Sequence, residues 1–148
     1  MRKGFRRQIS TYRILDANIN RTKEGLRVCE EIARFILNSR SLTLDLKSIR
    51  HKIDSLLKYL PAKESLISKR QSVADVGKGT YASELNRKNC QDIFFANIQR
   101  VKESLRVLEE FTKLRDIKTA INFKRIRYGI YEIEKKIITR LSALHNHR

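Results

Sequence analysis

Residues 17–31 read ANINRTKEGLRVCEE, and residues 96–110 read ANIQRVKESLRVLEE. Set against each other, 79 residues apart, the two stretches agree at 11 of 15 positions. A weaker match follows each one. Leu46-Lys47-Ser48-Ile49-Arg50 with Ile53 stands against Phe123-Lys124-Arg125-Ile126-Arg127 with Ile130, 77 residues apart. Matches so nearly collinear mean a tandem duplication, and the duplicated unit is two helices long.

The helices follow from apolar spacing. A first helix is expected over about 11–37, with Ile14, Leu15, Leu26, Cys29, Ile32, Ala33 and Ile36 in one arc. A second is expected over about 45–60, carrying Leu46, Ile49, Ile53, Leu56, Leu57 and Leu60, and Pro61 ends it. A third is expected over about 91–114. A fourth is expected over about 117–144, with Ile126, Ile130, Ile133, Ile137, Leu141 and Leu144 at steps of three and four. The fold class that results is all-α. It is an antiparallel bundle of two tandem helical hairpins with pseudo-twofold symmetry, in one domain over 1–148. Repeat one covers about 12–60, a connecting loop about 61–90, and repeat two about 91–144. Within the connection, residues 68–89 (SKRQSVADVGKGTYASELNRKN) lose all apolar periodicity. A stretch of that length is either functional or disordered, and a short helical turn fits at its start, around 64–68.

Composition agrees with this reading. The chain has 148 residues, one Pro, five Gly and no Trp, which favours long helices. Hydrophobic residues at 41% and charged residues at 33% exclude a disordered chain. Lys+Arg number 33 against 16 Asp+Glu, a formal charge of +17. That excess attracts phosphate, whether in nucleic acid, in a small molecule or on an anionic membrane, unless it serves only solubility. Cys29 and Cys90 form neither a disulfide framework nor a metal-ligand spacing, so Cys29 reads as a core residue in a reducing compartment. Residues 1–10 are basic with no apolar stretch after them, and no run nears the roughly 20 residues of a membrane span. The expected location is cytoplasmic, with no membrane partner.

Polar residues inside the apolar arc single out a site. Asn18 lies near the centre of the arc and Arg21 at its edge, and Asn97 and Arg100 repeat both places. Glu24 and Glu103 follow at its border. Buried Asn and Arg are costly unless satisfied, so their survival in both copies is informative. On one reading, Arg21–Glu24 and Arg100–Glu103 are internal ion pairs that hold the hairpins in register. On the other, the two Asn–Arg–Glu sets converge on a cavity for a phosphorylated ligand, because the guanidinium fork binds phosphate bidentately. Lys23, Arg27 and Glu30, with Lys102, Arg106 and Glu109, are assigned to a solvated face. Arg50 and Arg127 flank the core stripe of the second helices.

Asp75-Val76-Gly77-Lys78-Gly79-Thr80 is the one segment resembling a phosphate loop. Its glycines would open backbone N–H groups to an anion, Lys78 adds charge, and Asp75 could hold Mg²⁺. It is not a Walker A loop, since Ser72 stands where the first glycine belongs. GxGxxG, HExxH and a Ser/His/Asp set are all lacking. His145 and His147 fall in a tail expected to fray, which leaves His51 as the histidine within the fold.

Four stretches together carry a family resemblance: RILDANINRTKEGLRVCEEIARF, LKSIRHKI, ADVG and ANIQRVKESLRVLEE. They resemble the helical domain found ahead of the barrel in thiamine-phosphate synthase, a hydroxymethylpyrimidine-phosphate kinase-like family, over about residues 12–130. The resemblance implies phosphoryl transfer from ATP, with Mg²⁺, to hydroxymethylpyrimidine phosphate, giving the diphosphate. The family pattern falls on Asn18, Arg21, Glu24, Gly25, Leu26, Arg27, Glu30, Arg50, His51, Asp75, Val76, Gly77, Asn97, Arg100, Glu103, Leu105 and Arg106. It departs at Arg70-Gln71-Ser72, where the usual acidic residue is not evident. A (β/α)₈ barrel of about 250 residues cannot fit in this length, so these 148 residues by themselves are expected to lack synthase activity.

The expected site therefore places Asp75, Glu24 and Glu103 in catalysis, with Asp75 as metal ligand. Asn18, Arg21, Arg50, His51, Gly77, Lys78, Asn97 and Arg100 are expected to bind substrate and phosphate, and the 68–89 loop to close over them. The expected partner is a phosphorylated pyrimidine, with association to a separate thiamine-phosphate synthase as a further possibility. The rival reading is a non-enzymatic basic module that binds RNA or a thiamine enzyme. Nucleic acid is the lesser alternative, because aromatics are only 7% and mostly core-spaced.

Overall fold

The structure, a computed structural model, describes residues 2–147. Helix α1 spans Arg2–Glu31 and runs into one π-helical turn, Ile32–Ile36. Helix α2 spans Arg40–Leu57, α3 Lys63–Ser68, α4 Ala82–Leu85, α5 Cys90–Thr112 and α6 Ile117–Asn146. No strand occurs among the described residues.

The two hairpins turn differently, the first through a π turn and the second through a short turn at 113–115, and a side chain caps the helix that follows each. After the π turn, Asn38 takes φ 48°, a left-handed conformation that Asn tolerates better than most residues. Ser39 then caps α2, its side chain accepting from the Leu42 N–H at 3.4 Å. In the second hairpin Asp116 caps α6, accepting from the Lys118 N–H at 3.1 Å. Asn89 caps α5 through the Asp92 N–H at 2.8 Å. Each cap satisfies an N–H that the first helical turn leaves unpaired.

Cross-helix pairs show that neighbours run antiparallel. Between α1 and α2, Lys23 meets Asp54 at 2.8 Å and Glu30 meets Arg50 at 2.7 Å. Between α5 and α6, Lys102 meets Glu134 at 2.9 Å and Glu109 meets Arg127 at 3.0 Å. The copies join along α1 and α5, where Thr22 lies against Ser104 and Gly25 against Val101. A Cβ on Gly25 would stand 2.8 Å from Val101 Cγ2 and 3.0 Å from the Asn97 carbonyl, so glycine there lets the two backbones approach. Helix α2 closes the ring against α6, with Ile49 beside Gly129. One apolar core fills the middle, including Leu26, Leu46, Ile53, Leu105, Phe123 and Ile130.

Several expectations are corrected. Helix α1 begins at Arg2, not near residue 11, because residues 2–8 are exposed helix with no apolar stripe to announce it. Helix α2 begins five residues before 45, at the Ser39 cap. The connection holds the expected turn as α3 and a second one as α4. Helix α6 continues through His145. Glu30 and Glu109 are not solvated but buried, at 5% and 3% exposure, because Arg50 and Arg127 reach them from the second helix of each hairpin. No described helix is long and apolar enough to cross a membrane.

Candidate functional site

Beside α1, near the point where the copies meet, lies an open polar cleft of about 640 Å³. Helix α1 contributes Arg13, Asn18, Arg21 and Glu24, α5 contributes Arg100, and the connection contributes Arg70, Ser72 and Asp75. Arg70 is held by Asp16, which accepts from Nε at 2.7 Å and Nη2 at 2.8 Å. These bonds push the Arg70 pKa above its ordinary value, so its charge is fixed. Arg13, Arg21 and Arg100 have no acidic partner within ion-pair distance among the described residues. Three uncompensated guanidinium groups and one oriented by a carboxylate make this cleft an anion site by its chemistry.

The structure brings together five of the expected residues: Asn18, Arg21, Glu24, Asp75 and Arg100. Asn18 is buried and donates its side-chain N–H to the Ile14 carbonyl at 2.8 Å, so helix backbone satisfies it and its side-chain oxygen is left over. Asn97 makes the same bond to Ile93 at 2.8 Å but does not line the cleft. Asp75 sits at the cleft wall, with Oδ1 accepting from the Gly77 N–H at 2.8 Å.

The other expected residues lie elsewhere. Arg50 is bound to Glu30 by two hydrogen bonds, at 2.7 and 3.2 Å, inside the first hairpin. His51 is exposed beside a shallow hollow with Lys47 and Lys52. Glu103 accepts from Gln99 at 3.0 Å on the surface of α5. Lys78 turns back onto the Val73 carbonyl at 2.7 Å, and Gly77 serves the Asp75 turn. Neither Arg21–Glu24 nor Arg100–Glu103 is an ion pair. The register-holding pairs are Glu30–Arg50 and Glu109–Arg127. Among the described residues, no three His, Cys, Asp or Glu side chains converge as a metal site.

Repeat comparison could not find Arg13, Asp16, Asn20 or Arg70. Seventy-nine residues on, Asp92, Phe95 and Gln99 stand where Arg13, Asp16 and Asn20 stand in the first copy, and Arg70 belongs to neither copy. Only Arg21 and Arg100 are symmetric members of the cleft. The available signal was an acid, Asp16, one residue after core Leu15 and four before Asn20.

The family model of the ThiD2 family matches residues 13–136. A thiamine-phosphate synthase of Synechocystis sp. is 39% identical over 127 residues, covering 85% of this chain and 36% of that protein. One of Rhodopirellula baltica is 40% identical over 133 residues, covering 89% of this chain and 35% of that protein. One of Nostoc punctiforme is 39% identical over 128 residues, covering 86% and 35%. The chain thus spans about a third of the length of these curated relatives. No solved structure matches it.

Proposed function

Because this chain belongs to the ThiD2 family, we propose that it serves thiamine biosynthesis by phosphorylating hydroxymethylpyrimidine phosphate to the diphosphate at the expense of ATP. The observation that carries this reading is the arginine cleft. Arg13, Arg21 and Arg100 face one concavity without acidic partners, which suits two phosphate-bearing substrates better than a flat surface would.

The chemistry needs little more than such a cleft. The attacking group is an oxygen of the substrate's own phosphate, which is already largely ionised near pH 7 and needs no base to deprotonate it. It forms a bond to the γ-phosphorus of ATP as the bridging β–γ bond breaks, and ADP leaves. Charge spreads over the transferring oxygens, and fixed guanidinium groups stabilise it. Bringing two anions together is the main cost, and Arg21 and Arg100, one from each copy, would offset it from two sides. Asp16 would keep the Arg70 fork aimed at the phosphates. Mg²⁺ accompanies ATP and commonly takes only one or two protein carboxylates beside the phosphates. Asp75 and Glu24 are the cleft carboxylates not engaged by arginine, and they fit that need.

The relatives carry this region within much longer chains named thiamine-phosphate synthase, which supports a second reading: docking of this domain to a synthase that uses its product. The deciding experiment is ³¹P NMR of the purified protein with Mg-ATP and hydroxymethylpyrimidine phosphate. Equal yields of ADP and pyrimidine diphosphate are expected. Binding without turnover would leave only the docking reading.

A further inference from the structure

A second cavity, of about 300 Å³, adjoins the polar cleft, and the two share Asp16, Asn20, Glu24 and Arg70 as a common wall. Its remaining surface is mostly apolar, with Ile19 from α1, Leu57 from the end of α2, Leu60 from the turn after it, and Leu66 and Ile67 from α3. Helix α2 ends at Leu57, not at the expected 60 before Pro61, and a turn over 58–61 leads the chain into α3, which forms one side of the cavity. An apolar cavity with a few polar groups at one edge is the usual form of a small-ligand pocket.

The polar edge has a definite character. Asp16 is 7% exposed, and each of its oxygens takes one N–H from Arg70, so each keeps a lone pair. The Asn20 side-chain nitrogen lies 3.5 Å from Asp16 Oδ1, at the limit of a hydrogen bond. That contact takes one of its two N–H groups, and the other N–H and the carbonyl oxygen remain to present a donor and an acceptor side by side. That pattern complements a ring nitrogen next to an exocyclic amino group, as carboxamides do in pairing with the adenine edge. The second copy holds no such arrangement, since Phe95 and Gln99 replace Asp16 and Asn20, and Gln99 is bonded to Glu103.

We infer that this cavity is the ring pocket of the site, taking an amino-substituted nitrogen heterocycle whose amino edge is read by Asn20 and Asp16 while its phosphates enter the arginine cleft. The inference rests on the kinase reading for the phosphates, but the pocket itself stands on its own lining. Both substrates of that reaction carry such a ring, the aminopyrimidine and the adenine of ATP, and the pocket takes one of them.

Calorimetric titration of the full chain separates the possibilities with five probes: inorganic pyrophosphate, the unphosphorylated aminopyrimidine, its deaminated 4-oxo analogue, adenosine and inosine. One heterocycle should bind to the wild type. Ile67→Trp, which fills the cavity from a side chain 41% exposed, should weaken that heterocycle at least tenfold and leave pyrophosphate unchanged. Asn20→Ala should do the same and should also erase the preference for the amino form over its deaminated analogue. If Ile67→Trp perturbs folding in a melting experiment, Asn20→Ala carries the test. Pyrophosphate binding with neither heterocycle bound, or heterocycle binding indifferent to both variants, would overturn the ring pocket. Heterocycle binding that responds to both variants, with no pyrophosphate binding, would keep the pocket and sink the phosphate reading instead.

Discussion

Thr22 Oγ1 and Ser104 Oγ lie 2.6 Å apart in a buried contact where α1 crosses α5. Their counterparts in the other copy, Val101 and Gly25, meet at the symmetric place. Four of the 15 repeat positions differ, and two of the four are these facing positions. On both sides of the crossing a β-branched residue of one helix faces a small residue of the other. The divergence between the copies is therefore complementary at the contact itself, and each helix is fitted to its partner rather than to itself.

Gly25→Ala tests that fit. The added Cβ collides with Val101 Cγ2 and with backbone oxygen of Asn97, so the helices must part. Overpacking of this kind costs about 1–3 kcal/mol, partly offset by about 1 kcal/mol of helix propensity. A urea melt should show a net loss, and Val101→Ala should recover only part of it, because the Asn97 carbonyl is not relieved. No loss in Gly25→Ala would mean that the crossing is looser than the structure has it.

The bundle was legible because periodicity and duplication report packing, and packing governs most of this chain. The copies' shared residues led to Arg21 and Arg100, which do meet in one cleft. What escaped was whatever breaks the symmetry. Asp16 and Asn20 differ from their counterparts, Arg70 and Asp75 lie between the copies, and the 3.6-residue pattern says nothing about which helix a loop returns to. The burial of Glu30 is hidden from the sequence for a related reason. On its own helix it faces outward, and only the neighbouring Arg50 makes that position an interior.

Arg127→Met should be strongly destabilising through the charge that it strands. Glu109 is 3% exposed, and Arg127 supplies its closest bonds at 3.0 and 3.3 Å. Removing one partner of a buried pair costs about 3–5 kcal/mol, and about 3 is expected here because Arg106 stands at 3.4 Å from the same carboxylate. The double variant with Glu109→Leu should recover most of the loss in a chemical melt. Additive losses would show that the two side chains act independently.

The cleft arginines should behave in the opposite way. Arg21 and Arg100 are exposed and unpaired, so replacing either with Ala should move stability by no more than about 0.5 kcal/mol. Pyrophosphate affinity should drop in both, and the salt dependence of binding should flatten as a cation is removed. Arg21→Lys should recover the charge but not the bidentate geometry, leaving affinity between the two. Unchanged affinity in both Ala variants would remove the anion site from this cleft.

Cys29 gives a pH test of the core. Burial pushes its thiol up to about 12, and Glu134 adds to the effect. In the unfolded chain the thiol ionises near its ordinary value of about 8.5. The unfolded state therefore loses its proton first, and the stability tied to Cys29 is full below about 8.5 and declines as pH rises toward 12. In a Cys90→Ser background, a thiol reagent should modify Cys29 only at the rate of opening, and Cys29→Ala should flatten the alkaline fall in stability. Rapid labelling of the native protein would contradict the burial.

Asp75→Asn isolates charge from shape at the cleft wall. The Asp75 side chain accepts the Gly77 N–H at 2.8 Å, and asparagine keeps an oxygen for that bond, so the turn should survive and the melting temperature should hardly move. What disappears is a carboxylate facing three unpaired arginines, and with it a candidate contact for the Mg²⁺ that accompanies ATP. Two opposed effects follow. Pyrophosphate without metal should bind as well or better, because a repelling charge is gone. Diphosphate formation with Mg-ATP should fall by about two orders of magnitude or more, with higher Mg²⁺ recovering part of it. Asp75→Ala should lose the turn as well as the charge and melt earlier. Equal turnover in the wild type and Asp75→Asn, with earlier melting only in Asp75→Ala, would reduce Asp75 to a structural turn residue and leave Glu24 as the cleft's one free carboxylate.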